Sequence, residues 1–476
     1  MNISLFGGVN EIGGNKILVE HDNTRIFLDF GTSMGFEGDF FSDFLQPRSN
    51  TPVKDRLTIG ALPKIPGIYR KDLIIPQGIE RVPTMKFKRL INEHSPYLIL
   101  EDVETYEDHS SRKGHGYIDG IFLSHAHLDH SGAIGFLHTS IPLFCSQTTE
   151  ILVNAIDDVT SFKSEALVSR SSRLEFTGEK STFPGSPTIK HDELKRRCIT
   201  YKDKETKRLG SFSITHFSQD HSVPGASSCA IEANGKKLLY TGDIRFHGTN
   251  PMTIDDYVKK VGSGIDVMIC EGTRVDSDKT LTEADIVKAI SEKIKSVKGL
   301  VFVDFSWKDT TRYETMKKAA LAAGRIFVIN ARLAYLLDKL GMYPSDEHVR
   351  VFLKRKGSCL YSPADYVLSK YEVGLSVDWE TDIDCRHYDN GIVAADIKKH
   401  PERYVMMLSY FDLNQIFDFA DNNGQIPNSW LIKAQCAPFC DEMELDEERL
   451  IHWLETFSIG FELDKSPVPE GCSNSS

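Results

Sequence analysis

Residues 124–133 read SHAHLDHSGA and follow the apolar run YIDGIFL. A strand that ends at this point puts His125 and His127, two residues apart, on one face, so both rings can look into one pocket. Asp129 and His130 then fall in the tight turn into a helix-like segment, HSGAIGFLHTS. Four potential ligands within six residues can divide between two metal ions. A lone histidine is most often a packed or surface residue. This arrangement after an apolar strand points instead to metal, and it demands a sheet that delivers polar groups to its carboxyl edge.

Two later positions complete the set by type and context. In ITHFSQDHSVPGASS, His221 follows a strand and precedes a Pro-Gly turn. In LLYTGDIRFHG, Asp243 ends an apolar strand, where its carboxylate can bridge two cations. His216 lies inside its strand and His247 beyond the turn, and both are read as non-ligands. Asp29 closes RIFLDFG and is expected to orient a ligand histidine through a hydrogen bond, with turn capping as the plainer alternative.

The surrounding chain fits an α/β protein of more than one domain. The first thirty residues give ISLFGGV, KILVEH and RIFLDFG, apolar runs bounded by Gly and Asn. Residues 35–116 are less regular and read as a long excursion covering one side of the first domain; the aromatic stretch FEGDFFSDFLQPR within it is expected to pack on the core. Residues 190–208 are locally basic and read as a solvated helix-and-loop face. From residue 299, GLVFVDFSWKDTTRYETMKKAALAAGRIFVINARLAYLLDKLG alternates strand and helix, the pattern of a parallel, doubly wound unit. DEMELDEERLIHWLETF has amphipathic helical spacing and precedes a polar tail.

Composition bounds the function. The chain has 476 residues, 40% hydrophobic and 26% charged, which excludes disordered, collagen-like and rod-like proteins. Lys plus Arg total 56 against 68 Asp plus Glu, a net charge of −12, so any contact with nucleic acid must be local. No run approaches the ~20 apolar residues of a membrane span, and the amino terminus lacks a secretory pattern; the protein reads as cytoplasmic. Its nine cysteines are scattered and form no CxxC pair, as expected of reduced thiols.

The ordered set Asp29, His125, His127, Asp129, His130, His221 and Asp243 resembles that of the metallo-β-lactamase superfamily. More narrowly, GGVNEIGGNKILVE, TGDIRF, CEGT and FVDFSWKDTTRYETMKKAALAAGR resemble the β-CASP, ribonuclease J-like members. The resemblance implies an α/β fold: a four-layer αβ/βα sandwich with an inserted β-CASP-like parallel α/β domain. Residues 1–272 would be the lactamase domain with the insertion 35–116, residues 273–430 the inserted domain, and residues 431–476 a return segment of the lactamase domain with a polar tail. It implies zinc, one ion on His125, His127 and His221 and a second on Asp129 and His130, with Asp243 bridging. Hydroxide shared by two dications persists near neutral pH and can attack phosphorus in line. Asp129 and Glu271, the latter matching the subfamily's acidic motif, are the expected catalytic carboxylates.

Single-stranded RNA is the implied partner, held in a basic cleft between the domains, with Lys308 and Arg312 as phosphate contacts. No membrane is involved, and a homodimer is compatible. The family's later Ser-Gly-His and Pro-x-His motifs are missing from this sequence, so the second zinc is expected to be held less firmly than the first. A small-molecule esterase, lactonase or phosphodiesterase using the same metals stays open, as does a truncated or degenerate non-catalytic member.

Overall fold

The computed structural model describes residues 1–42, 45–48, 52–74, 77, 103–160, 167–180, 187–246, 248, 252–272, 283–343, 347–354, 390–435, 438 and 441–462. His247 lies outside them. The chain divides into two compact units. The first comprises Met1–Gln219, Gly225–Ile244 and Val258–Thr273, and the second Arg274–Ser476 with the short stretches Asp220–Pro224 and Arg245–Tyr257.

The first unit holds two large sheets and a separate two-stranded one. Strands β1 (Asn2–Leu5), β2 (Ile17–His21), β3 (Thr24–Leu28), β4 (Gly120–Phe122) and β5 (Leu143–Ser146) are followed by a hairpin, β6 (Arg170–Lys180) and β7 (Pro187–Lys195), and by β8 (Cys198–Tyr201). The first sheet runs β1-β2-β3-β4-β5-β8. It is antiparallel up to β3 and parallel from β3 onward. The second runs β13-β12-β11-β10-β9, from β9 (Thr206–Leu209), β10 (Phe212–Ser218), β11 (Ser227–Ala233), β12 (Lys236–Tyr240) and β13 (Val267–Ile269).

One shared core joins them. Ile17, Val19, Ile26, Leu28, Phe122 and Phe144 of the first sheet pack with Phe212, Ile214, Cys229, Ile231, Leu238 and Tyr240 of the second. This is the expected sandwich, with alternate side chains of each strand turned to the common interior. The helix Gln147–Val159 buries Leu152, Val153 and Ala155 and is capped by Ser146, whose hydroxyl accepts from Thr149 N–H.

The second unit is a seven-stranded sheet ordered β17-β16-β15-β18-β14-β19-β20. Its strands are β14 (Val301–Asp304), β15 (Ile326–Ile329), β16 (Val349–Phe352), β17 (Gly391–Ile392), β18 (Tyr404–Met407), β19 (Trp430–Lys433) and β20 (Gly460–Phe461), and every pairing is parallel. Val301, Val303, Phe327 and Ile329 face one core, Phe302, Val328 and Met406 the other. Both faces are covered, which is why these strands are continuously apolar.

Three expectations are corrected here. Residues 431–476 were expected to return to the first domain. Instead β19 extends the second sheet beside β14, β20 follows it, and Leu450 and Leu454 of the helix Asp441–Thr456 enter the second unit's core. The reason is that pairing with β14 buries Leu431 of β19 in the second unit's core. The basic run 190–208 is strand, not helix. Within it Arg196 is buried and donates to the carbonyls of Ile134, Leu137, His138, Ile141 and Val168, tying these loop segments together. Phe36 and Phe40 stay 37% and 42% exposed rather than packing on the core.

The described cysteines are free thiols, and among the described residues no helix is long and apolar enough to cross a membrane.

His216 gives the first unit a measurable pH dependence. Its ring is fully buried in β10, stacks on Tyr201 at 5.7 Å, and has no hydrogen-bond partner on either nitrogen among the described residues. Burial pulls its pKa down to about 4. The unfolded chain, with an ordinary histidine pKa near ~6.5, therefore takes up the proton first as pH falls. The stabilisation from burying neutral His216 is complete above that pH and is lost progressively toward the folded value, a change of roughly 3 kcal/mol. Urea denaturation of wild type and His216→Phe between neutral and mildly acidic pH tests this. The stability difference between the two proteins should move by about that amount; a difference independent of pH rules the assignment out.

Candidate metal centre

Most of the donors stand at the carboxyl ends of strands of the first unit's two large sheets. β3 and β4 run parallel, so Asp29 and residues 123–127 emerge at the same edge. Asp29 has a positive φ of 56°, a conformation that Asp tolerates better than most residues. Leu128–Ser131 forms a single helical turn after His127. Backbone bonds from Phe30 N–H to His130 O, Thr32 N–H to Leu128 O and Asn15 N–H to Asp129 O fasten the neighbouring loops to that turn. Gly13 is needed there: a Cβ on it would stand 2.3 Å from Asp129 Cβ.

These constraints gather two groups of donors. One ligand atom each from His125, His127, His221 and Asp243 lie within 4.8 Å of one another, and so do those of Asp129, His130 and Asp243. Asp243 belongs to both groups. Its Oδ1 is 3.2 Å from His130 Nε2 and its Oδ2 is 3.8 Å from His125 Nε2.

The hydrogen bonds fix which nitrogens face inward. Asp29 Oδ2 lies 2.6 Å from His130 Nδ1 and, as a carboxylate, accepts that ring's proton. In the neutral ring that a metal ion requires, His130 Nε2 keeps its lone pair toward Asp129 and Asp243. Ser124 Oγ donates to Asp29 Oδ2 at 2.7 Å and so can only accept from His125 Nδ1, 2.9 Å away. His125 Nε2 then also presents a lone pair, 2.9 Å from His127 Nδ1. Asp29 thus sets the tautomer of one histidine directly and of another through Ser124.

Two features fit the residues to a cation. His125 Nε2 and His127 Nδ1 share a hydrogen bond at 2.9 Å, close enough for one ion to engage both rings in place of that proton. Asp129 Oδ1 is buried with no hydrogen-bond donor among the described residues, an expensive state for a carboxylate oxygen. Electrostatics agree. Burial opposes a charge on His130, but the carboxylates of Asp243, Asp129 and Asp29 raise its pKa well above the ordinary value. The same negative field favours a bound cation.

The other expected residues are placed as follows. Glu271, just beyond β13, accepts the Ile244 N–H through Oε1 at 2.6 Å, one residue past Asp243. Lys308 and Arg312 are only 6% and 2% exposed, and Arg312 Nη1 lies 3.6 Å from Glu283. Neither stands on a solvated helix face. His216 is in neither donor group.

Several supporting residues were not singled out from sequence. Ser124, Tyr240, Asn15 and Gln219 all act here. Tyr240 OH donates to Asp29 Oδ2 at 2.6 Å, and burial together with that carboxylate keeps the phenol protonated. Asn15 Nδ2 lies 3.3 Å from His130 Nε2. Gln219 Nε2 donates to the carbonyls of Thr241 and Asp243 at 2.7 and 2.6 Å. Only their nearness in sequence to the motifs could have marked Ser124 and Gln219.

Residues 104–300 match the model of the beta-lactamase superfamily domain. Over those residues the chain is similar to the metallo-β-lactamase superfamily. Its similarity is to ribonuclease J-like members. It is 21% identical over 340 residues to Ribonuclease J of Corynebacterium glutamicum, covering 70% of this chain and 35% of that protein. Against Ribonuclease J of Mycobacterium tuberculosis it is 23% identical over 361 residues, covering 73% and 48%. Against Probable RNase MJ4 of Methanocaldococcus jannaschii it is 28% identical over 184 residues, covering 37% and 39%. The chain therefore spans between about a third and a half of the length of these relatives. A solved structure, a protein of unknown function from Enterococcus faecalis V583, superposes with a TM-score of 0.62 at 19% identity, covering 99% of this chain and 88% of that one. It shares the fold.

Asp29→Ala should lower metal affinity by about ten- to a hundredfold, because both His130 and His125 lose their imposed tautomers. Ser124→Ala should affect His125 alone and cost less. Chelator-competition titrations of the two variants measure this, and equal losses would contradict the relay.

Proposed function

We propose that the protein is a metal-dependent hydrolase that cleaves phosphodiester bonds in single-stranded RNA. The observation that carries the reading is the pair of donor groups sharing Asp243, a built dinuclear arrangement and not a lone cluster. The ribonuclease names of its relatives supply the substrate class.

In this reading His125, His127 and His221 would hold one zinc and Asp129 and His130 a second, with Asp243 common to both groups. Bound there, such a pair supplies Lewis acidity toward a phosphoryl oxygen and a water of lowered pKa. The chain's own residues do the positioning. His125 and His130 present Nε2 because Asp29 and Ser124 occupy their other nitrogens. Asp129 keeps a buried oxygen toward the group and is assigned to proton handling beside its ligand role. Glu271, anchored on the Ile244 amide, holds the peptide that follows Asp243. Any action of Lys308 and Arg312 on phosphate is through their field, since both side chains are buried.

The test is cleavage of 5′-monophosphorylated single-stranded RNA, with metal content measured on the same preparations. Asp129→Ala and Asp243→Ala should each reduce cleavage by about a thousandfold, the several kcal/mol that metal-assisted catalysis supplies. Chelation should abolish the activity and zinc restore it. Equal cleavage by all three proteins would sink the proposal, and turnover of a lactone or simple ester with no RNA cleavage would replace it with the small-molecule reading.

A further inference from the structure

Asp243 is followed two residues later by Arg245, a side chain the reaction scheme does not use. It is 5% exposed. Its guanidinium grips Asp220 with two bonds, Nε to Oδ2 at 3.0 Å and Nη2 to Oδ1 at 3.1 Å. Nη2 also donates to the backbone carbonyl of His221 at 3.0 Å and lies 3.3 Å from Thr311 Oγ1. The Arg245 amide donates to Asp220 O at 3.0 Å, closing an isolated bridge between the two segments. Gly248 leaves room for this clasp, since a Cβ there would stand 1.8 Å from Asp220 Oδ2.

We propose that Arg245 is a positioning residue that sets the affinity of the His125, His127, His221 and Asp243 group for its metal ion, by clamping the loop that carries His221 to the strand exit that carries Asp243. The inference rests on the metal-centre reading and adds a residue to it.

His221 sits in a stretch without helix or strand, so no ladder of backbone bonds fixes its ring. Arg245 anchors the backbone on which that ring stands, its guanidinium holding the Asp220 carboxylate and the His221 carbonyl and its amide the Asp220 carbonyl. Gln219, bonded to the Thr241 and Asp243 carbonyls, secures the preceding residue. Ligand His221 and ligand Asp243 are therefore held in register by two stitches, Gln219 and Arg245. Metal affinity is steep in such geometry, because ligand atoms must be placed within about half an ångström of their productive positions. Only arginine can serve Asp220 and the His221 carbonyl together. Its five donors are fixed in one plane, whereas a lysine ammonium is a point donor on a flexible stem.

The experiment is metal binding to the full chain after removal of metal, read in two ways. Cobalt(II) or zinc affinity is measured by competition with a chromophoric chelator, and the visible spectrum of the cobalt form reports ligand geometry. Wild type, Arg245→Lys, Arg245→Met, Asp220→Asn and His221→Ala are compared, with thermal melting of each metal-free protein in parallel. Arg245→Lys and Asp220→Asn should melt near wild type without metal yet bind about ten- to a hundredfold more weakly, with altered cobalt bands. A role confined to packing would lower metal-free melting and leave affinity and spectrum unchanged in the folded fraction. Wild-type affinity and spectrum in Arg245→Lys overturn the inference, and that variant decides alone if Arg245→Met does not fold. Failure of the underlying reading looks different: wild type itself would then bind no metal that His221→Ala abolishes.

Discussion

The Asp29 carboxylate is the interaction on which the rest of the centre depends. It is fully buried, and a buried carboxylate is tolerable only when its lone pairs are satisfied. Four donors meet it: Ser124 N–H, Ser124 Oγ, Tyr240 OH and the His130 ring. They come from the exit of β4, from β12 in the opposite sheet, and from the turn after His127. One charge thereby ties the two sheets of the sandwich together at the edge where the ligands emerge. Fold stability and ligand orientation are the same set of bonds.

Much of this was legible in the sequence because it depends on chemistry that residue type and spacing reveal. His125, His127, Asp129 and His130 cannot be placed after an apolar strand without forming a polar edge, and the alternation in 300–340 admits little except a parallel, doubly wound sheet. Residues whose importance lies in partners distant along the chain were not legible. Tyr240 is an ordinary strand residue until β12 is laid opposite β3. Arg245 is an ordinary arginine until the segment 219–221 is brought to it. Lys308 and Arg312 follow a strand and open a helix, which reads as exposed, and only the fold reveals that Glu283 lies beside Arg312.

The carboxyl-terminal segment shows the same limit from another side. Helical spacing in 441–456 and the strand character of WLIK are local properties, and both are present. Which sheet the strand joins is a non-local choice. It is decided by the free edge of β14 and by the apolar side chains of Phe302, Met406 and Leu431 that share one face of the second sheet. Family resemblance suggested a return to the first unit; burial favoured the nearer edge.

The two donor groups are unequal, and the inequality follows from the residues alone. The first offers three imidazoles and one carboxylate, the second one imidazole and two carboxylates, with Asp243 counted in both. Three neutral imidazoles with one carboxylate suit a borderline-soft dication such as zinc in tetrahedral geometry. The second group has one donor fewer, and its share of Asp243 is weakened once that carboxylate is drawn toward a first cation. Its remaining advantage is charge, the negative field that raises the pKa of His130. In the proposed metal centre, occupation of the first group would offset part of that field, so the groups would fill in order and the geometry of Asp243 would govern the second step. A residue that fixes the chain on either side of Asp243, as Glu271 and Gln219 do through the Ile244 amide and the Asp243 carbonyl, therefore acts on both groups at once.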